Sequence, residues 1–109
     1  MAKQDGTVVT LAQMFRILGD PTRLRILMEL RAGEKNVTAL CKRLKAPQPT
    51  VSHHLGILRM GQLAVSRRSG KEIFYSISNL ESQRYGKALQ SLLKSGTFVR
   101  FGSVVLGMV

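Results

Sequence analysis

The stretch Gln48-Pro49-Thr50-Val51-Ser52-His53-His54-Leu55-Gly56-Ile57-Leu58 constrains this chain more than any other. Pro49 suits the first turn of a helix, where its absent N–H would have no partner and its fixed φ is already helical. Val51, Leu55 and Leu58 follow at i, i+4 and i+7, which lays one apolar stripe against a core. Off that stripe stand Gln48, Thr50, Ser52 and His53, side chains that donate and accept hydrogen bonds and carry no negative charge. The rest of the chain has to cover the stripe and leave the polar face outward.

Upstream, Val8, Leu11, Met14, Phe15 and Leu18 keep a helical period that ends at Gly19. Asp20-Pro21-Thr22 starts a second helix, with Asp20 as N-cap and Pro21 at the first helical position. Over this helix, to about Leu30, the pattern places Leu24, Leu27 and Met28 inward, with Ile26 and Leu30 widening the face. Arg23, Arg25 and Glu29 are read as outward. A shorter helix is predicted over residues 38–44, with Asn36 or Thr38 near its cap and Leu40 and Leu44 inward. Lys45-Ala46-Pro47 is then a brief turn before the Pro49 helix, which closes at Met60-Gly61-Gln62. Two helices so closely joined, the second polar on its outer face, have the outline of a helix-turn-helix.

Beyond residue 62 the period changes from helical to extended. Residues 63–68 and 72–77 are β-prone runs separated by Ser69-Gly70-Lys71, which can turn as a short hairpin. Arg67, Arg68 and Lys71 make that hairpin cationic. A last helix is predicted over residues 80–93, with Tyr85, Ala88, Leu89, Leu92 and Leu93 on one side. The whole is a mainly α (α+β) chain, a winged helix-turn-helix with a two-stranded β-hairpin wing. Residues 1–7 are read as a flexible N-terminus, residues 8–95 as the folded domain, and residues 96–109 as an apolar tail packed on the body or on a second subunit.

Charge narrows the partner. The formal net charge is +11, from 17 Lys and Arg against 6 Asp and Glu in 109 residues, which favours a polyanion, nucleic acid before an anionic membrane. No run approaches the ~20 apolar residues that span a bilayer, and the N-terminus lacks an apolar signal core, so a cytoplasmic protein is expected. Cys41 is the one cysteine, so no internal disulfide can form; it reads as a small buried residue, with a redox switch as the other option. The six acids are scattered over caps, loops and separate elements, with no nucleophile–base grouping and no phosphate-cradling glycine loop, so an enzyme is not expected.

Two motifs in this order resemble the ArsR/SmtB-type winged-helix repressors: Leu18-Gly19-Asp20-Pro21-Thr22-Arg23-Leu24-Arg25-Ile26-Leu27 and the segment from Gln48 to Leu55. An Arg-Arg-x-Gly-Lys wing with Phe74-Tyr75 in its return strand follows, so the resemblance covers roughly residues 8–95. It implies a homodimer joined through the first and last helices, bound to a partly palindromic operator in double-stranded DNA and released by an effector. Many such proteins sense metals, through a Cys-x-Cys at the start of the third helix or through His and acidic ligands on the last. Here Asn36 and Thr38 stand at the Cys-x-Cys positions, and the last helix holds no His and only Glu81 as an acid. Neither metal, nor cofactor, nor membrane is therefore expected, and the residues name no effector.

The expected contacts follow from groove geometry. A major groove ~12 Å wide admits one helix, so Gln48, Pro49, Thr50, Ser52 and His53 are expected at the DNA, with Arg67, Arg68 and Lys71 on phosphates or in the minor groove. The same residues could be a solvated face and a solubilising turn. For His54, internal packing and a phosphate contact stand level. The expected function is a sequence-specific dimeric regulator, a repressor acting by occupancy; the alternative is a non-specific or architectural nucleic-acid-binding protein.

Overall fold

The computed structural model describes residues 6–79, 99–101 and 104–106. Its first helix, α1, spans Gly6–Leu18, with Leu11 and Met14 buried and Val8 and Phe15 more than half exposed. α2 spans Pro21–Arg31 and begins as the sequence predicts, with the Asp20 carboxylate accepting from the Arg23 backbone N–H at 3.0 Å. Its buried side differs from the expectation. Ile26 and Leu30 are buried, whereas Leu24 and Met28 are 45% and 71% exposed. On a helical wheel Arg23 falls between Leu30 and Leu27, so it belongs to the half-buried arc, and its guanidinium turns inward. Apolar residues ring most of this short helix, and periodicity alone had no basis for choosing between two overlapping stripes.

α3 spans Val37–Leu44 and α4 spans Gln48–Met60. Asn36 caps α3, its Oδ1 accepting from Ala39 N–H at 2.8 Å. Lys45, in the left-handed region at φ 52, ends the helix by donating its N–H to the Cys41 carbonyl. Pro47 then stands at the N-cap of α4 with no side-chain cap, so the helix relies on proline stiffness and on the bond from Val51 N–H to Pro47 O. Val51, Leu55 and Leu58 are wholly buried, as their spacing predicts, and with Ile26, Leu40 and Leu30 they form the core of residues 14–79. Burial of each such side chain is worth about 1.5–3 kcal/mol, enough to fix which face of α4 is outward.

The end of α4 is held by a residue far along the chain. Gln62 adopts φ 65, a left-handed conformation that a glycine would take more easily. Buried Ser78 donates its hydroxyl to the Gln62 carbonyl at 2.6 Å, and Ser78 N–H bonds the Leu63 carbonyl. That clamp joins the end of the helix to the end of the wing.

β2 (Ala64–Ser69) and β3 (Glu72–Ile77) pair antiparallel from Ala64↔Ile77 to Ser69↔Glu72, leaving Gly70 and Lys71 as a two-residue loop. Gly70 has φ 63, which such hairpin loops need at their first position. The sheet has a third strand that sequence periodicity does not reveal: β1, Lys35–Asn36, pairs with β3 through Lys35↔Tyr75 and Asn36↔Phe74. Two residues are too few to show an alternation. The order β1-β3-β2 fastens the base of the wing to the start of α3 and completes a winged helix-turn-helix.

By contacts the chain divides into two units, residues 14–79 and residues 1–13 with 80–109. In the second, β4 (Val99–Phe101) and β5 (Val104–Leu106) form an antiparallel hairpin with Arg100 opposite Val105, where the sequence suggested only an apolar tail. The predicted helix over residues 80–93 lies outside the described residues. Among the described residues no helix is long and apolar enough to cross a membrane.

Candidate nucleic-acid interface

On α4, Gln48, Pro49, Ser52 and His53 are exposed and Thr50 is half-buried. Ser52 and His53 lie away from the Val51, Leu55 and Leu58 stripe because a helix turns about 100° per residue, whereas Gln48, nearly in line with Leu55, is exposed because it begins the helix. Two further residues share this face and escape a search for hydrogen-bonding side chains near the helix start. Gly56 lies one turn beyond Ser52, and a Cβ placed on it would meet nothing within 4 Å. Arg59 lies two turns beyond Ser52 and is exposed. The signal for both was their spacing of four and seven from Ser52, together with a mid-helix glycine that costs roughly 1 kcal/mol against alanine.

His54 takes a different position. Its side chain is 16% exposed, at the edge of the apolar stripe, and its Nδ1 lies 3.2 Å from Arg23 Nη1 and 3.7 Å from Asp20 Oδ2. Arg23 is anchored in turn, its Nε donating to the Ile17 carbonyl at 2.6 Å. Of the two readings left level by the sequence, internal contact is the one the ring makes at Nδ1. The Arg23 backbone N–H, and after it the charge of the Arg23 side chain, hold the Asp20 carboxyl below its ordinary pKa.

The wing separates two arginines that sit next to each other in sequence. Neighbours on a strand point to opposite faces, so Arg67, opposite Phe74, shares a face with Asn36 and Glu72, while Arg68, opposite Ile73, lies on the other. Arg67 is engaged: its Nε and Nη2 bond the two Glu34 oxygens at 2.7 and 2.6 Å, and its guanidinium lies 5.0 Å from the centre of the Phe74 ring. This fork holds the Glu34 carboxyl below its usual range. Among the described residues Arg68 reaches only the Gly70 carbonyl, at 3.3 Å, and Lys71 is exposed at the tip. Arg43 of α3 pairs with Glu29 of α2 at 2.7 Å, which lowers the Glu29 pKa, while Lys42 is exposed.

Asn36 and Thr38, at the positions where the resemblance would put thiolate ligands, do not suit a thiophilic metal. Asn36 is also engaged, its Oδ1 capping α3 and its Nδ2 donating to Glu72 Oε1 at 2.9 Å. The second metal position, on the last predicted helix, falls outside the described residues.

Comparison with known proteins agrees with this geometry. Residues 20–61, from the cap of α2 to the end of α4, match the sequence model of the family described as bacterial regulatory protein, arsR family. The HTH-type transcriptional regulator KmtR of Mycobacterium tuberculosis is 40% identical over 75 residues, covering 69% of this chain and 58% of that protein, so the chain spans little more than half of that relative. Among solved structures, the ArsR-like transcriptional regulator from Rhodococcus sp. RHA1 superposes with a TM-score of 0.69 at 31% identity, over 81% of this chain and 83% of that one. The homodimeric winged helix-turn-helix DNA-binding domain of Mb0332 from Mycobacterium bovis, a possible ArsR-family regulator, gives a TM-score of 0.65 at 28% identity over 84% of this chain and 89% of its own.

Proposed function

The chain belongs to the bacterial arsR family of regulatory proteins, and from that premise we propose that it is a dimeric, sequence-specific DNA-binding regulator of the cytoplasm, a repressor acting by operator occupancy. The observation that carries this reading is the division of α4: Val51, Leu55 and Leu58 are sealed in the core while Gln48, Pro49, Ser52 and His53 face outward beside a cationic wing. A helix so held can lie in the major groove with its N-terminal half at the base edges. Gln48 and Ser52 then read bases, Thr50 and His53 flank them, and Arg68 and Lys71 bind phosphates. Arg67 joins them through whichever donors Glu34 leaves free.

Support for the homodimer comes from the Mycobacterium bovis neighbour and from α1, whose Val8 and Phe15 are 55% and 51% exposed. Two copies would place their α4 helices in successive major grooves ~34 Å apart on a partly palindromic operator. Occupation of Asn36 by capping supports a release signal other than a thiophilic metal at α3.

Selection of bound fragments from the chain's own genome, followed by titration against random duplex, tests the proposal. A preference of ~10³ or more is expected of a specific binder. Arg68→Ala and Lys71→Ala should weaken binding to every sequence and flatten its salt dependence, whereas Gln48→Ala should relax the choice of base. Equal affinity for all duplexes would favour a non-specific, architectural role; a monomer on DNA would refute the dimer.

A further inference from the structure

We propose that Arg23 is a positioning residue for the recognition helix: it holds His54 as the Nε2–H tautomer, so that α4 offers a neutral N–H donor to a DNA phosphate. This rests on the DNA-binding reading given above, and it adds a residue on α2 that by itself faces no base.

A guanidinium only donates, so the 3.2 Å contact between Arg23 Nη1 and His54 Nδ1 requires a lone pair on Nδ1. A neutral imidazole carries one N–H, which must then sit on Nε2. Asp20 Oδ2 is 3.7 Å from Nδ1, beyond hydrogen-bond range, and already accepts from the Arg23 backbone at 3.0 Å, while the His53 ring stands edge-on with its centroid 5.2 Å away. Arg23 is not free to swing away, because its Nε is tied to the Ile17 carbonyl at 2.6 Å. The ring is thus fixed from behind by a side chain that is itself fixed by α1.

Where Nε2 leads follows from burial. Among the described residues no buried side-chain nitrogen or oxygen lacks a partner, and the polar contacts of His54 are all made at Nδ1. Nε2 therefore reaches the surface although the side chain is only 16% exposed. On the wheel of α4, His54 lies between half-buried Thr50 and buried Leu58, on the shoulder of the helix rather than on the Gln48 and Ser52 face. A helix lying in a groove meets the phosphate wall with its shoulders and the base edges with its centre. A neutral donor there adds a directed bond to phosphate without adding to the diffuse charge of the wing.

The test separates the tautomer from the binding. In the free protein, long-range 15N–1H correlation of the two imidazoles is expected to show His54 protonated at Nε2 and bare at Nδ1, with exposed His53 as a solvated mixture. Arg23→Met, which keeps the capping N–H and removes the guanidinium, should turn His54 into such a mixture at unchanged helical content. On a random-sequence duplex of about three turns, Arg23→Met and His54→Leu should each lower affinity roughly tenfold, on the scale of one hydrogen bond to a charged group. The double variant should be no weaker than His54→Leu, and His54→Gln, whose amide N–H can stand in for Nε2–H, should recover most of the loss. An Nδ1–H form in the wild type, or losses that add in the double variant, overturns the proposal. If the wild type binds no duplex yet shows the expected tautomer, the DNA-binding reading has failed and the phosphate role falls with it. Normal binding with the Nδ1–H form sinks the Arg23 role alone.

Discussion

Gly61 closes the recognition helix where Ile17 of α1 comes against it, and the closeness of that approach predicts a specific coupling. A Cβ on residue 61 would stand 2.4 Å from Ile17 Cδ1 and 3.2 Å from the Ile57 carbonyl. Carbon atoms rest about 3.5–4.0 Å apart, so the end of Ile17 would have to move by roughly an ångström or change rotamer. Overpacking of this kind costs about 1–3 kcal/mol. The backbone itself has no objection: at φ −80 and ψ 1 alanine is unstrained and gains about 0.4–1 kcal/mol through the unfolded chain. Gly61→Ala should therefore destabilise by about 1–2 kcal/mol net. Ile17→Val removes Cδ1 and leaves Cγ1 at 3.6 Å, an ordinary contact, at its own cost of about 0.5–1.5 kcal/mol. With the clash gone, the double variant should be as stable as Ile17→Val or more stable by up to the roughly 1 kcal/mol that alanine gains, a coupling of about 1–3 kcal/mol. Urea unfolding followed by helical circular dichroism measures it, with midpoints shifting at constant slope. An equal loss from Gly61→Ala in both backgrounds would show that the glycine does not serve the Ile17 contact.

Glu34→Gln should release the Arg67 fork, raise affinity for random duplex and steepen the salt dependence by about 0.9 per protomer, as one more phosphate is neutralised; a fall in affinity would mean that Glu34 aims Arg67 instead of withholding it. In acid, the Asp20, Glu29 and Glu34 carboxyls lie below their ordinary values because of the Arg23 N–H, Arg43 and Arg67 respectively. A folded pKa below the unfolded one gives stability that is complete above the ordinary carboxylate range and is lost as pH falls through the depressed folded values. Thermal melting should thus be insensitive to these groups between about pH 5 and 7 and decline below about 4. The decline should be shallower in Glu29→Gln, and a rise in stability on acidification would contradict the assignment.

Much of this protein could be read along the chain, because the features concerned are local. The cap at Asp20, the proline start of α4, the stripe of Val51, Leu55 and Leu58, and the strand over Glu72–Ile77 depend on residues within a turn or two of one another. Period, capping and proline stereochemistry act at that range, so their signal survives in one dimension. Two places do not follow these local rules: Pro47 stands at the N-cap without a side-chain bond, and Gln62 takes a positive φ where glycine would be easier.

Tertiary structure decided what the side chains of these elements do. α2 carries apolar residues around most of its circumference, and only packing against α3, α4 and β3 made Ile26 and Leu30 the inner pair and left Leu24 and Met28 exposed. The same choice turned Arg23 inward to His54, 31 residues away, and the wing brought Arg67 onto Glu34, 33 residues away. Such pairings depend on how elements dock, and no periodicity records them. For the Gln48–Met60 helix, the sequence by itself determined which face is polar; the fold determined which of its side chains, Gln48, Ser52 and His53 but not the Nδ1 edge of His54, are left for a partner.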